Sequence, residues 1–260
     1  ANIVSAHRRF ESANVAAVYR GGDRADEYVV YSAHLDHLGV GDPVDGDAIY
    51  NGVLDNASGV AGMLAVAKAF STLQQRPIRS VLFLAVTAEE YGLIGSDYFA
   101  RNPTVPANAI VANVNMDGLP LLYDFRDVVS FGSEHSSVAS AVQRATRRLG
   151  LELTPDPFPE QLFFVRSDQY SFVKQGVPAV FAAEGLKTVD PSQDGRKIFD
   201  AWLASRYHQP SDDLNQPLNF AAAVKGARLQ FLIGHFLASD RDRPRWNSGD
   251  FFGTRFGRKQ

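Results

Sequence analysis

The sequence predicts an α/β fold with a mixed, mainly parallel central sheet between helical layers. Three observations predict it. Residues 80–87 and 109–116 are short, almost unbroken apolar runs rich in β-branched residues, as expected of strands buried on both faces. Residues 60–70, 137–149 and 220–238 carry helical apolar periodicity between and after those runs. Acids or histidines follow directly where the strand-like runs end, at the edge where open α/β sheets bind their ligands.

In chain order, residues 14–19 read as a strand and Arg20-Gly21-Gly22-Asp23 as a turn. Tyr28-Val29-Val30-Tyr31-Ser32-Ala33 is a second strand, and it delivers His34-Leu35-Asp36-His37 to the sheet's edge. Residues two apart on extended chain face the same way, so Asp36 is expected beside His34, orienting its imidazole, with His37 facing away. Residues 41–47 form a turn-rich loop, expected to lie over the site. Their acids lack the spacing and closing Glu of a helix-loop-helix calcium site. Residues 50–59 read as a loop running into a helix, with Asp55 or Asn56 near its cap. Asp55 suits an ordinary N-cap, and it equally suits a carboxylate with one oxygen for each of two cations.

Arg76-Pro77 ends that helix, and the strand of residues 80–87 leads into Glu89-Glu90 and a short helix over 93–101. By itself an adjacent Glu pair is an acidic first turn. The strand of residues 109–116 ends at Asp117-Gly118, by itself a turn. The recurrence of such residues at three strand ends argues for a shared site. Residues 128–131 form another strand, prolines mark an irregular crossing at 154–159, and Arg166-Ser167-Asp168 caps a short helix. A strand follows at 177–181, and Tyr207-His208-Gln209-Pro210 lies in a polar loop before the last long helix. From Arg241 onward arginine, glycine and aromatics mix without periodicity, an irregular tail to which no chemistry is assigned.

Composition narrows the class. With 260 residues, 45% of them hydrophobic, the chain is expected to form one catalytic domain over 1–260. A net charge of −3 gives no reason to invoke nucleic acid or an anionic membrane, and no apolar run reaches membrane-spanning length. The chain has no cysteine, so disulfides, thiolate zinc sites and Cys nucleophiles are excluded, and any metal is held by His, Asp and Glu. Starting at Ala1, it reads as a processed or trimmed product, expected to be secreted or periplasmic. The candidate metal ligands are then His34, Asp55, Glu90, Asp117 and His208. Five are too many for one zinc with an open position, and they fit two zinc ions sharing one carboxylate.

From about Asn14 to about Ala238 this ordered set resembles the co-catalytic two-zinc aminopeptidases, whose relatives include glutamate carboxypeptidase, glutaminyl cyclase and the non-catalytic transferrin receptor. The resemblance implies the zinc exopeptidase fold. It implies His34 as ligand within Ala33-His34-Leu35-Asp36, and Asp55 as bridging carboxylate followed by a cis peptide to Asn56. It further implies Glu89 as general base, Glu90, Asp117 and His208 as remaining ligands, and Tyr207 against the tetrahedral intermediate. Arg166, expected to touch substrate, opens a segment that in many relatives reads Arg-Ser-Asp-His. Gln169 stands where that His would be, a departure bearing on local packing or substrate contact rather than on the metals.

The chemistry asks for this set. Zinc brings the pKa of bound water toward about 7, so a metal hydroxide is available at neutral pH. A base that is not itself a ligand must take the water's proton and give it to the leaving amine, and the adjacent glutamates divide those tasks. The expected activity is removal of N-terminal residues from a peptide substrate, because an acidic metal-lined pocket suits a free α-ammonium group. The alternatives are a glutamate-type carboxypeptidase, a glutaminyl cyclase and a non-catalytic ectodomain on the same fold. Oxygen-rich sites of this kind also accept cobalt or manganese.

Overall fold

The computed structural model describes residues 4–5, 9 and 11–258. Among the described residues the strands are β1 (Val15–Tyr19), β2 (Arg24–His34), β3 (Gly39–Val44), β4 (Asp47–Tyr50), β5 (Arg79–Val86), β6 (Ile110–Asn115), β7 (Asp127–Phe131), β8 (Glu152–Leu153) and β9 (Ala179–Glu184). The helices are α1 (Gly59–Ser71), α2 (Ile94–Arg101), α3 (Val138–Leu149), α4 (Gln169–Val173), α5 (Gly195–Ser205), α6 (Phe220–Ser239) and α7 (Phe251–Phe256). Seven strands make one sheet in the order β1-β5-β2-β6-β9-β7-β8. Its inner four, β5, β2, β6 and β9, are parallel, while β1 on β5 and β7 on β9 are antiparallel. The carboxyl ends of the four parallel strands therefore share one edge.

Both faces of the inner strands are covered, which is why their buried positions are largely apolar, with Ser32, Asn113 and Asn115 satisfying one another by hydrogen bonds. On β2, Val29, Tyr31 and Ala33 pack with Met63, Val66 and Phe70 of α1 and Leu229, Ile233 and Leu237 of α6. The alternate residues Tyr28 and Val30 pack with Phe99 of α2 and Phe172 of α4. Helix α6 carries Gly226 and Gly234, each costing about 0.5–1 kcal/mol against Ala. Burial of Leu229, Ile233 and Leu237, about 1.5–3 kcal/mol each, outweighs that cost. Gly234 also has a positive reason to be there, since a Cβ at that position would lie 1.9 Å from the Tyr31 hydroxyl. Without it the helix approaches closely enough for Tyr31 Oη to donate to the Gln230 carbonyl at 2.7 Å.

Three segments differ from the sequence reading. Residues 41–47 are not an irregular loop but most of the β3–β4 ribbon, turned by Asp45 and Gly46, both at positive φ, as an Asp-Gly hairpin requires. Helix α5 went unread, although Ile198, Phe199, Trp202 and Leu203 have helical spacing and the Asp194 carboxylate caps it by accepting from Lys197 N at 3.1 Å. The tail is packed and partly helical. Asp250 caps α7 by accepting from Phe252 N and Gly253 N at 2.8 and 3.1 Å, and it meets His135 Nδ1 at 2.7 Å. Phe252 then packs edge-on against Phe164, so the tail braces the turn around residues 163–165. None of the described helices is long and apolar enough to cross a membrane.

Candidate metal centre and cleft

The shared strand edge brings the five expected ligands together in two groups. His34 closes β2 and is 1% exposed, with Nε2 3.1 Å from Asp55 Oδ1 and 3.1 Å from Asp117 Oδ1. The other Asp55 oxygen, Oδ2, lies 3.3 Å from His208 Nε2, which is 3.2 Å from Glu90 Oε2. Asp55 thus belongs to both groups, one oxygen to each.

Each position has a local cause. Asp55 sits in a wide turn over Val53–Ser58 that runs into α1, and its peptide bond to Asn56 is cis, as the resemblance implied. Asn56 caps α1 by accepting from Gly59 N at 3.1 Å. The same Oδ1 accepts from Gly118 N at 2.7 Å, and Nδ2 donates to Met116 O at 3.0 Å, which holds the turn carrying Asp117. Asp117 Oδ2 accepts from Ser167 Oγ at 2.6 Å, and Asn115 Nδ2 donates to both Ser167 Oγ and Gln169 Oε1. Gln169 in turn donates to the carbonyls of Phe163 and Phe164 at 2.9 and 3.0 Å, a packing role away from the two groups of ligands. Glu89 and Glu90 leave β5 through Ala88, which adopts φ 56°, and Gly92 N and Leu93 N close the turn on Glu89 O.

Two expectations are corrected. His37 does not face away, because β2 ends at His34 and the strand alternation ends with it. Its Nδ1 lies 2.7 Å from Glu90 Oε1, and its ring meets His208 edge-on at 5.6 Å. Asp36 holds His34 through its backbone carbonyl, 3.1 Å from Nδ1, while its carboxylate is 3.9 Å from that nitrogen. That carboxylate instead accepts from Glu89 N at 3.2 Å. The sequence reading also missed Asp212. Fully buried, it accepts from Leu54 N at 3.0 Å, Asp55 N at 3.1 Å and Gln216 Nε2 at 2.6 Å, tying the loop after His208 to the Asp55 turn. Its only local signal is an acid in a polar loop, and its backbone partners Leu54 and Asp55 lie more than 150 positions away.

Electrostatics follow from crowding carboxylates against imidazoles. Burial opposes a charged His34, but Asp117 and Asp55 outweigh it and hold its pKa far above the ordinary imidazole value. Hydrogen bonds to Asp55 and Glu90 push His208 up to about 10. Burial opposes ionisation of Asp55 and Glu90, yet their histidine partners hold both below the usual carboxylate range. Burial, then the charge of Asp117, pushes Glu89 up to about 9. Burial likewise raises Asp168, whose carboxylate oxygens have no hydrogen-bond partner among the described residues, to about 7. Ligand atoms of His34, Asp55 and Asp117 lie within 4.8 Å of one another, as do those of His37, Asp55 and Glu90, and those of His34, Glu89 and Glu90. Buried imidazole nitrogens and carboxylate oxygens converging in this way fit divalent cations, which remove the repulsion that the acids otherwise suffer.

A cleft of about 380 Å³ opens from Asp55, Glu89 and Asp117. Tyr207 and Arg166 line it. Tyr207 stacks on His208 with ring centres 3.9 Å apart, and burial, then Asp55 and Glu90, push its hydroxyl up to about 12. Arg166 is held by the Gln161 carbonyl and side chain at 3.2 and 3.3 Å.

This arrangement has relatives. The probable leucine aminopeptidase 2 of Aspergillus fumigatus is 26% identical over 236 residues, covering 87% of this chain and 44% of its own. The chain spans about half the length, or less, of the curated relatives it matches. Among solved structures, a zinc aminopeptidase from Bacillus subtilis superposes with a TM-score of 0.63 at 19% identity, over 88% of this chain and 51% of that one. Porphyromonas gingivalis glutaminyl cyclase gives 0.60 at 18% identity, over 84% and 76%. At those identities the likeness is one of fold. The sequence pattern of peptidase family M28 matches residues 14–230, which span β1 to α6 and every residue of the two ligand groups, and the chain belongs to that family.

Proposed function

We propose that the protein is a zinc-dependent exopeptidase of the aminopeptidase type, with residues 1–260 acting as one catalytic domain. The observation that carries this reading is the division of Asp55, Oδ1 toward His34 at 3.1 Å and Oδ2 toward His208 at 3.3 Å. In this reading His34, Asp55 and Asp117 hold one zinc ion, and His208, Glu90 and Asp55 hold the other. His37 keeps its place on the second oxygen of Glu90, fixing the direction of that ligand.

Two zinc ions bound there supply Lewis acidity to the scissile carbonyl and acidify the attacking water. Glu89 takes the water's proton on its carboxylate and passes it to the leaving amine nitrogen. Asp36 steadies Glu89 by accepting from its backbone N–H, so it acts through position. Tyr207, kept protonated, donates a hydrogen bond to the substrate oxygen on which charge develops. Arg166 faces the peptide. The acids around Asp55 favour a substrate that brings a free α-ammonium group. The reading keeps the secreted or periplasmic setting expected from the sequence, which fractionation of the producing cell tests.

The test is metal content on the purified protein, with hydrolysis of aminoacyl chromogenic amides and their N-acetylated forms, with and without a chelator. Two zinc ions per chain with chelator-sensitive cleavage of the free-amine substrates alone is the expected result. One zinc with ammonia release from an N-terminal Gln peptide would make the protein a cyclase instead. Two zinc ions with turnover of N-blocked substrates would point to a carboxypeptidase.

A further inference from the structure

The fourth parallel strand also ends in an acid. β9 runs parallel to β6 and closes with Glu184, at the edge that carries His34, Glu89 and Asp117. Glu184 lines the same cleft as Glu89 and Asp117, yet it belongs to neither ligand group.

Its surroundings set it apart from the other acids nearby. Asp127 is buried and satisfied, accepting from Lys187 N at 2.8 Å and Thr154 Oγ1 at 2.9 Å. Nearby cations are engaged elsewhere, Lys187 with Glu152 at 2.6 Å and Arg196, which lines the same cleft, with Asp200 at 2.8 Å. Among the described residues no side chain donates a hydrogen bond to the Glu184 carboxylate and no cation pairs with it. Burial raises its proton affinity, and the charge acting on it is that of Asp127 rather than of the carboxylates round Asp55. Glu184 is thus a half-buried acid set apart from the metal centre, with its own backbone N–H acting on the carboxylate. Phe131, Phe158, Phe181, Phe199 and Trp202 supply aromatic walls to the same cleft.

Resting on the aminopeptidase reading, we infer that Glu184 selects substrates whose N-terminal residue is lysine or arginine. Such a side chain has an apolar stem for the aromatic walls and a cationic tip for a carboxylate that no cation pairs with among the described residues. The α-ammonium group is met separately, by the acids at the metal centre, so one substrate satisfies both ends of the cleft. A leucyl side chain fills the aromatic part but brings no cation to Glu184, so it forgoes that ion pair.

The experiment compares arginyl, lysyl, leucyl and phenylalanyl amides on the zinc-loaded protein, in wild type and in Glu184→Gln and Glu184→Ala. The wild type is expected to give a higher kcat/KM for the arginyl and lysyl substrates than for the leucyl one. Both variants are expected to lower the arginyl-to-leucyl ratio by about tenfold or more. The substitution Glu11→Gln, at an exposed position outside the cleft, serves as a control that leaves the ratio where it was. Binding is read independently through Trp202 fluorescence with argininamide and leucinamide, and the argininamide preference should vanish in Glu184→Gln. A wild type that prefers leucyl substrates, or a ratio indifferent to both substitutions, overturns the inference while leaving the aminopeptidase reading intact. No turnover of any free-amine substrate by a two-zinc protein would instead strike that reading itself.

Discussion

The carboxylate of Asp212 accepts the backbone N–H of Asp55 at 3.1 Å. Through this bond, and a parallel one from Leu54 N at 3.0 Å, the loop that follows His208 is fastened to the turn that presents Asp55. The two histidines come from opposite ends of the chain, so the shared carboxylate needs such a fastening to face both at once. Hydrogen bonds to a charged acceptor contribute about 1.5–3 kcal/mol each when buried. The substitution Asp212→Ala should therefore destabilise the fold by about 2–4 kcal/mol, and it should weaken metal binding more than its distance from the donor atoms suggests. Urea denaturation and zinc titration measure the two effects, and unchanged zinc affinity in a folded variant would refute the coupling.

Asp55 and the histidines should differ in stoichiometry. Asp55→Ala removes an oxygen from both groups and should leave about no tightly bound zinc, whereas His34→Ala and His208→Ala should each leave about one. Calorimetric titration of the metal-free variants gives the counts. Equal losses in all three would show that the two groups do not act as separate sites.

Glu89 should matter for turnover and not for metal. Glu89→Ala is expected to bind two zinc ions and to lower kcat by about 10²- to 10⁴-fold. Metal analysis beside steady-state kinetics decides it, since a variant that turns over peptide normally cannot have lost its base.

The metal-free protein should be most stable in mild acid. His208 is raised from 6.5 to about 10 and His34 is raised as well, so their stabilisation is complete below about pH 6.5 and is lost as pH rises toward 10. Glu89, raised from 4.5 to about 9, runs in the same direction. Asp55 and Glu90 are lowered, so their stabilisation holds above about pH 4.5 and is lost as pH falls. Tm of the metal-free form should peak between about pH 5 and 6.5 and decline through pH 10. Zinc must displace protons from the histidines, so the rise in Tm on adding zinc should grow over that same range. Thermal scans with and without chelator give both curves, and a zinc effect independent of pH would contradict the assignment of His34 and His208.

The tail should support the cleft from behind. Removing the chain from residue 241 onward takes away Asp250 from His135 and Phe252 from Phe164, next to the turn that Gln169 holds. KM for aminoacyl substrates should rise several-fold while zinc content is unchanged. A truncated protein with wild-type KM would make the tail a bystander.

What the sequence by itself determined is local in origin. Largely apolar runs without alternation located β5 and β6, because a strand covered on both faces has no solvent-facing side and admits a polar residue only where a buried partner satisfies it, as for Asn113 and Asn115. His34, Glu90 and Asp117 were legible because each follows such a run at the edge where the chain leaves the core, and Asp55 and His208 because their loops match an ordered motif. Tertiary structure decided what depends on distance through space. Which histidine faces which oxygen of Asp55, the turn of His37 onto Glu90 and the grip of Asp212 on Asp55 join residues 21 to 157 positions apart. Glu184 was equally hidden, since the sequence reading ended its strand at Phe181, and only the pairing of β9 with β6 carries its last residue to the ligand edge. Periodicity reports what a segment buries. It does not report what that segment meets, because the meeting is set by the packing of the whole sheet and its helices.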